Sequence, residues 1–473
     1  MYGGSKIKNL ENIFRNYLFE RIRIWFKDDL FQRLFKNAGT LLSANMIAWI
    51  LGLTTFVLMA RVLGPSQFGL FTLIISYVTL VDGVVNFQSW QAMIKYGGDA
   101  LENKNINRFK GVVKFCTLID VLTAIVGTIT AILIVSIIGS WLSWNNDTVN
   151  MATFYSLTIL FNLSGTPTGV LRLFNKFRLF AIIHIITATV KLTGIAIIFY
   201  LNIDLWTVIS LYITTTIIGQ ILLFSLGWRE LQIQGYTGVF KVPLKEINSL
   251  NPGIFNFVLT TNLTGSVGLG RKEVDTLIIG GIAGAEGAGL YKVAKQLASI
   301  PAMCSDSLYQ SIYPELSKLW AKKEILAFKK LIIRSGLIAG ASATFIWIGF
   351  IMFGSWAIQT FFGSSYVAAQ SLTIMYMLAM VIAIFSFPLQ PAMLSIGKPK
   401  ISFWIQLVAT IIYLITLKWL LSAIGIIGAG IAAIILYALC SISMAIVEII
   451  IIEKMLKAVK KSSFSVDQNY SEA

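Results

Sequence analysis

Charge is scarce in this chain of 473 residues: Asp, Glu, Lys and Arg make up 13% of it, roughly half the share found in soluble domains. With 56% hydrophobic residues and a mean hydropathy of +0.77, the composition excludes an ordinary water-soluble globule and reads as an integral membrane protein. Histidine occurs once, as His184. That leaves almost no material for a zinc site or for Ser-His-Asp or Cys-His catalysis. The three cysteines, Cys116, Cys304 and Cys440, fall inside apolar runs. They read as small buried hydrophobes, not as a disulfide or metal framework. No metal site, no cofactor and no catalytic residue is expected.

What the chain does have is long apolar runs, and a helical span needs about 20 such residues. Twelve segments qualify: 38–60, 70–93, 113–138, 151–170, 180–200, 207–226, 254–282, 286–314, 331–353, 367–393, 403–421 and 425–452. Cytoplasmic loops are enriched in Lys and Arg. Placing the N-terminus inside puts 29 of the 38 basic residues in inward segments and only Arg61 in an outward one, with the other eight inside spans. A multi-pass protein of the cell membrane with both termini cytoplasmic is therefore expected. The same alternation explains the net charge of +16 without nucleic acid, which needs basic residues gathered on one solvated face.

Residues 1–37 read as a cytoplasmic segment, with Leu10, Ile13, Phe14, Tyr17 and Leu18 at the spacing of an amphipathic interfacial helix. The polar tail, 453–473, is expected to be cytoplasmic and unstructured past Lys461. An internal repeat relates RVLGPSQFGLF at 61–71 to GIAGAEGAGLY at 281–291, pairing Gly64 with Gly284 and Gly69 with Gly289. A weaker echo sets PTGVLRLFNKF at 167–177 beside QPAMLSIGKPK at 390–400. Six spans per half make the halves parallel, related by an axis along the membrane normal. The expected fold is all-α: twelve transmembrane helices in two parallel six-helix lobes, 38–226 and 254–452, with a central cleft and a cytoplasmic linker at 227–253.

The stretch LMARVLGPSQFGLFTLIIS at 58–76, with Arg before V-L-G-P and then F-G, resembles the polysaccharide-transport branch of the multidrug, oligosaccharidyl-lipid and polysaccharide exporter superfamily. So does DTLIIGGIAGAEGAGLYKVAKQLASIP at 275–301, with its Asp, apolar run, glycine loop and G-x-Y. The resemblance covers the chain after residue 37. It implies a V-shaped, two-lobed bundle that carries undecaprenyl-pyrophosphate-linked oligosaccharide from the inner to the outer leaflet by alternating access. The implied partners are the lipid-linked oligosaccharide, membrane lipids, H+ or Na+ as coupling ion, and other polysaccharide-assembly proteins.

Charged residues inside spans carry the functional signal, because each costs a few kcal/mol at mid-membrane unless it faces a partner or a wet cavity. Arg271 and Asp275 are four apart and share a helix face. Lys272 and Glu273 flank them, and Lys292 and Lys295 are three apart on the next span. With Arg61 they form a net positive cluster toward the outer end, suited to a pyrophosphate that Arg can clasp in a bidentate fork. Arg61, Arg271, Lys272, Lys292 and Lys295 are the candidate substrate-binding residues, with Asp275 orienting Arg271. The competing reading is an Arg271–Asp275 ion pair with lysines snorkelling to headgroups. Asp82 and Lys191 sit near the middle of their spans, so an Asp82–Lys191 pair that takes part in ion coupling is expected, while His184 reads as a packed interior residue. Asp120, Asp306 and Glu448 are further candidates, and Pro167, Pro388 and Pro391 are candidate bending points.

Three other functions compete. A drug or cation exporter of the same superfamily would want an acidic cavity. A lipid II flippase would add two helices after the twelfth. A membrane glycosyltransferase or polymerase would need a sizeable catalytic loop, yet 354–366 is 13 residues long without a charge. The glycine runs GSVGLG and GAEGAG have the wrong order and no βαβ setting for a nucleotide site.

Overall fold

The computed structural model describes residues 29–87, 89–201, 204–243 and 250–471, with side chains described in these stretches except at 29–48, 264, 267, 270, 271, 303–307, 310, 311 and 458–471. The amphipathic pattern expected before the first span falls outside the described side chains. Among the described residues the chain is helical and contains no strand. The long helices are α1 (Asp29–Val85), α2 (Ile106–Trp141), α3 (Asn146–Leu160), α4 (Gly165–Leu173), α5 (Phe177–Leu201) and α6 (Leu205–Ile233) in the first half. The second half holds α7 (Ile254–Ala298), α8 (Ile300–Ala321), α9 (Ile325–Phe361), α10 (Ala369–Phe385), α11 (Leu389–Ser395), α12 (Pro399–Ile424) and α13 (Ile427–Ser471).

Polar residues in the connections start these helices. Asn105 accepts a hydrogen bond from the backbone N–H of Arg108 at 3.0 Å, and Asn145 from that of Thr148 at 2.8 Å, each capping a helix N-terminus. The expected unstructured tail is instead continuous with α13 as far as Ser471. The Glu, Lys, Leu, Met and Ala of IIEKMLKAVKK are good helix formers and carry the helix past the last apolar turn.

Among the described residues nine helical stretches are long and apolar enough to cross a membrane. Two contain a reversal. Gly64 inside α1 has φ 66°, ψ 171°, and Gly284 inside α7 has φ 71°, ψ −176°. These are the paired glycines of the repeat, in nearly the same left-handed-side conformation, which only glycine adopts without strain. Each folds its helix into two passes. The fourth and tenth expected segments are split as well, into α3–α4 and α10–α11. Counted this way, the elements are consistent with twelve passes in two six-helix halves.

Contacts sort the connections to two ends. At the basic end, Lys114 donates to the carbonyls of Phe240 and Val242 at 2.9 and 2.7 Å, Arg108 to the Asn251 side chain at 2.9 Å, and Lys176 pairs with Glu230 at 3.3 Å. At the other end the two repeat loops touch. A Cβ on Gly69 would strike the Ala285 carbonyl, and one on Gly289 the Pro65 carbonyl. Tyr366 donates to the Ala60 carbonyl at 2.9 Å beside them. Between these ends the second pass of α1 lies antiparallel to the first pass of α7. Gly280 faces Leu73, Gly83 faces Leu269, and Asn262 donates to the Asn86 carbonyl at 3.1 Å. Glycines let the backbones approach along this seam, as small residues do between membrane helices.

Candidate functional site

The reversal at Gly284 sets the geometry of the site. Residues roughly equidistant from the pivot meet, so Asp275 on the way out faces Tyr291 and Lys295 on the way back. The Lys295 ammonium donates to both Asp275 oxygens, at 3.0 and 2.8 Å, and to the Lys272 carbonyl at 2.8 Å. Tyr291 donates to Asp275 at 2.7 Å, Tyr413 of α12 at 3.3 Å, and Thr276 at 3.0 Å. Asp275 is 2% exposed. A buried carboxylate survives only when paired and hydrogen-bonded, and Asp275 has one cation and three hydroxyls.

Beside this pair lies a cavity of about 440 Å³. Lys272, Glu273, Asp275, Lys292 and Lys295 line it, with Tyr376 of α10, Tyr413 of α12 and Tyr437 of α13. With Asp275 already paired to Lys295, the remaining formal charges among the described lining residues are Lys272, Lys292 and Glu273. The ammonium groups of Lys272 and Lys292 have no hydrogen-bond or ion-pair partner among the described residues. The cavity is therefore net cationic, with phenols around it. Its walls among the described residues come from the second half of the chain alone.

That placement divides the sequence-predicted residues. Lys272, Lys292, Lys295 and Asp275 come together. The Arg271 side chain lies outside the described residues, and Asp275 makes its ion pair with Lys295. Arg61 does not join them. It is exposed near the Gly64 kink and lines none of the described cavities, whereas Lys272 lies twelve residues before Gly284, about 18 Å down a helix. The group thus sits deeper than the outer position expected. The phenols of Tyr291, Tyr376 and Tyr413 were not singled out, because an aromatic residue in an apolar helix looks like any core residue; the pivot glycine was the available signal, since it sets which residues face each other.

The first half has its own polar centre. Asp82 accepts from Asn86 at 3.0 Å and from Asn162 at 2.7 Å, Gln220 donates to Asn162 at 3.0 Å, and Thr123 to Asn86 at 3.0 Å. A cavity of about 210 Å³ opens there, lined by Asp82, Asn86, Asn162 and the start of α4. Lys191 does not pair with Asp82. Its ammonium lies over the Tyr212 ring, 4.8 Å from the centroid, because shared depth leaves the direction each helix faces undetermined. His184 is exposed on α5 and not packed inside. Asp120 has a structural role: its Oδ2 accepts from both the backbone N–H and the hydroxyl of Thr166 at 2.7 Å, capping α4. Glu448 is 2% exposed on α13, and the Asp306 side chain lies outside the described residues. Cys116 and Cys440 are not joined in a disulfide.

A family model described as polysaccharide biosynthesis protein matches residues 34–320. The chain is similar to inner membrane protein YghQ of Escherichia coli (strain K12), 26% identical over 354 residues, which is 74% of this chain and 98% of that protein. It shares its fold with an inward-facing multidrug resistance MATE family transporter of the MOP superfamily, at a TM-score of 0.73 and 12% identity, covering 89% of this chain and 99% of that one. It also shares it with the lipid II flippase MurJ in an inward closed conformation, at a TM-score of 0.68 and 18% identity over 86% of each chain.

Proposed function

From the premise that the chain belongs to the polysaccharide biosynthesis protein family, within the multidrug, oligosaccharidyl-lipid and polysaccharide exporter superfamily, we propose that it is a flippase for undecaprenyl-pyrophosphate-linked oligosaccharide. It moves the repeat unit from the inner to the outer leaflet by alternating access, for surface polysaccharide assembly. The observation that carries this reading is the cationic cavity with two unpartnered lysines. Moving a pyrophosphate through a medium where an unpaired ion is prohibitive requires counter-charge inside the protein while the lipid tail stays in the bilayer.

The cavity also argues against a drug exporter. Asp275 is already paired with Lys295 and Glu273 is outnumbered by Lys272 and Lys292, so the described lining is net positive where a cationic drug would need net acid. The role of a coupling-ion site falls to Asp82, whose carboxylate has amide donors and, among the described residues, no cation within ion-pair distance. H+ and Na+ both fit that role. In this reading the contact between the repeat loops is the closed outer gate, and both termini are cytoplasmic.

The test is transfer of a fluorescent or radiolabelled lipid-linked oligosaccharide in proteoliposomes containing the full chain. Lys272→Ala with Lys292→Ala is expected to abolish transfer while leaving membrane abundance intact. Wild-type rates in that double variant would remove the cavity from the mechanism.

A further inference from the structure

A second cavity adjoins the cationic one. It holds about 260 Å³ and shares Ala302, Met380 and Tyr437 with its neighbour, then continues toward the basic end between α8, α10, α11, α12 and α13. Among the described residues its lining contains no charged residue. What it offers instead is Tyr309, Gln390, Gln406, Ser386 and Ser441. The Gln390 amide and the Tyr309 hydroxyl have no partner among the described residues, and Gln406 makes one long hydrogen bond, to Ser402 at 3.3 Å.

The backbone supplies an independent observation. This cavity sits at the break between α10 and α11, where Ser386 and Phe387 leave the helix. Irregular backbone at membrane depth is tolerated where it lines a cavity, and discontinuous helices form the substrate sites of many transporters. Gly336 of α9 backs the break, since a Cβ there would stand 2.5 Å from the Phe385 carbonyl.

We infer that this cavity is the subsite for the sugar joined to the pyrophosphate, and that it takes an uncharged sugar ring. The inference rests on the lipid-linked substrate proposed above. Amides and hydroxyls satisfy the donors and acceptors of a sugar, and the rings of Tyr309 and Tyr437 pack against its apolar face. A polyprenyl tail would leave the glutamine amides unpaired at a desolvation cost. An acidic sugar would bury a carboxylate with no cation among the described lining residues. The order also fits, with the phosphates deep at the lysines and the glycan trailing toward the basic end.

The experiment is calorimetric titration of the full chain in nanodiscs with geranyl pyrophosphate, bare or carrying N-acetylglucosamine or glucuronic acid on its terminal phosphate. The N-acetylglucosamine probe is expected to bind more tightly than the bare one, and the glucuronic acid probe to lose that gain. Gln390→Ala and Gln406→Ala should each weaken the N-acetylglucosamine probe by about three- to tenfold, one neutral hydrogen bond's worth, with the loss confined to that probe. Lys272→Ala should weaken every probe. Thermal unfolding of each variant separates lost contacts from lost folding. A sugar that adds nothing, or glutamine variants that weaken all probes alike, would overturn the subsite and leave the pyrophosphate reading standing. Tighter binding of the bare probe by Gln390→Leu would assign the cavity to the lipid chain instead. If no probe binds the wild-type chain, the pyrophosphate reading fails and takes the subsite with it.

Discussion

Replacing Lys295 by Met separates a structural ion pair from a functional charge. The ammonium lies 2.8 Å from Asp275, which is 2% exposed. At an effective dielectric near 20 the gross attraction is about 6 kcal/mol, most of it offset by desolvation of both groups. Removing one partner of such a pair costs about 3–5 kcal/mol, because the other charge is left buried. Three hydroxyls still donate to Asp275, so the lower end, about 3 kcal/mol, is expected. In a chain of this size that lowers the apparent melting temperature in detergent by about 3 °C. Asp275→Asn in the same chain should return most of the loss, giving a coupling energy above about 1 kcal/mol in the double-mutant cycle. Fluorescence-monitored thermal unfolding measures the cycle, and lipid-linked oligosaccharide transfer measures function. The double variant should regain stability without regaining transfer, since the cavity has lost a cation. Effects that add within about 0.5 kcal/mol would refute the pair, and restored transfer would show that Lys295 serves only the fold.

Gly69→Val and Gly289→Val should part the two repeat loops, because each new Cβ meets backbone carbonyl that cannot swing aside; spin-label distances between positions 66 and 286 should lengthen, and unchanged distances would contradict the gate. Cysteines placed at 143 and 364 should react with impermeant reagents from outside the cell, and those at 104 and 323 only from inside; the reverse pattern would invert the proposed orientation. Asp82→Ala is expected to slow transfer at least tenfold with unfolding temperature nearly unchanged, since a half-buried site is lost and no cation is orphaned; unaltered ion dependence of transfer would dismiss Asp82 as the coupling group. Deleting residues 1–30 should reduce membrane insertion yet leave the helical bundle, as judged by circular dichroism and thermal unfolding of the purified protein.

The all-helical membrane fold and the repeat were legible because each leaves a one-dimensional trace. Apolar run length reports passes, charge reports ends, and Gly64 and Gly284 recur 220 residues apart. The site was legible only in part. Intramembrane charge singled out Lys272, Asp275, Lys292 and Lys295, whose cost demands a partner or a cavity, and all four converge. Arg61 was grouped with them on charge alone, although helical rise from the pivot already separates it. The Asp82–Lys191 pair failed for a different reason. Depth along a helix is linear in sequence, but the direction a side chain takes between neighbouring helices depends on packing, and packing turned Lys191 onto Tyr212. The glutamines and tyrosines of the second cavity leave no trace at all in composition, since they become visible as a set only where α10 breaks.

The repeat also supplies an internal control on whether the charged cluster is a requirement of the fold. At the 220-residue offset, Asp275 corresponds to Thr55, Tyr291 to Phe71 and Lys295 to Ile75. Thr55 is 4% exposed and bonds its hydroxyl to the Leu51 carbonyl at 2.8 Å, while Phe71 packs edge-on against Tyr212. The first half builds the same reversal at Gly64 with these uncharged residues, so the reversal does not need an ion pair. Conversely Asp82 corresponds to Ala302, which lines both cavities of the second half. The two copies of the repeat thus differ, with lysines facing a cavity in one and an amide-held carboxylate in the other. A transporter that must bind an anionic headgroup and a coupling cation at separate places would need that asymmetry; a symmetric scaffold would have no reason to pay its desolvation cost twice.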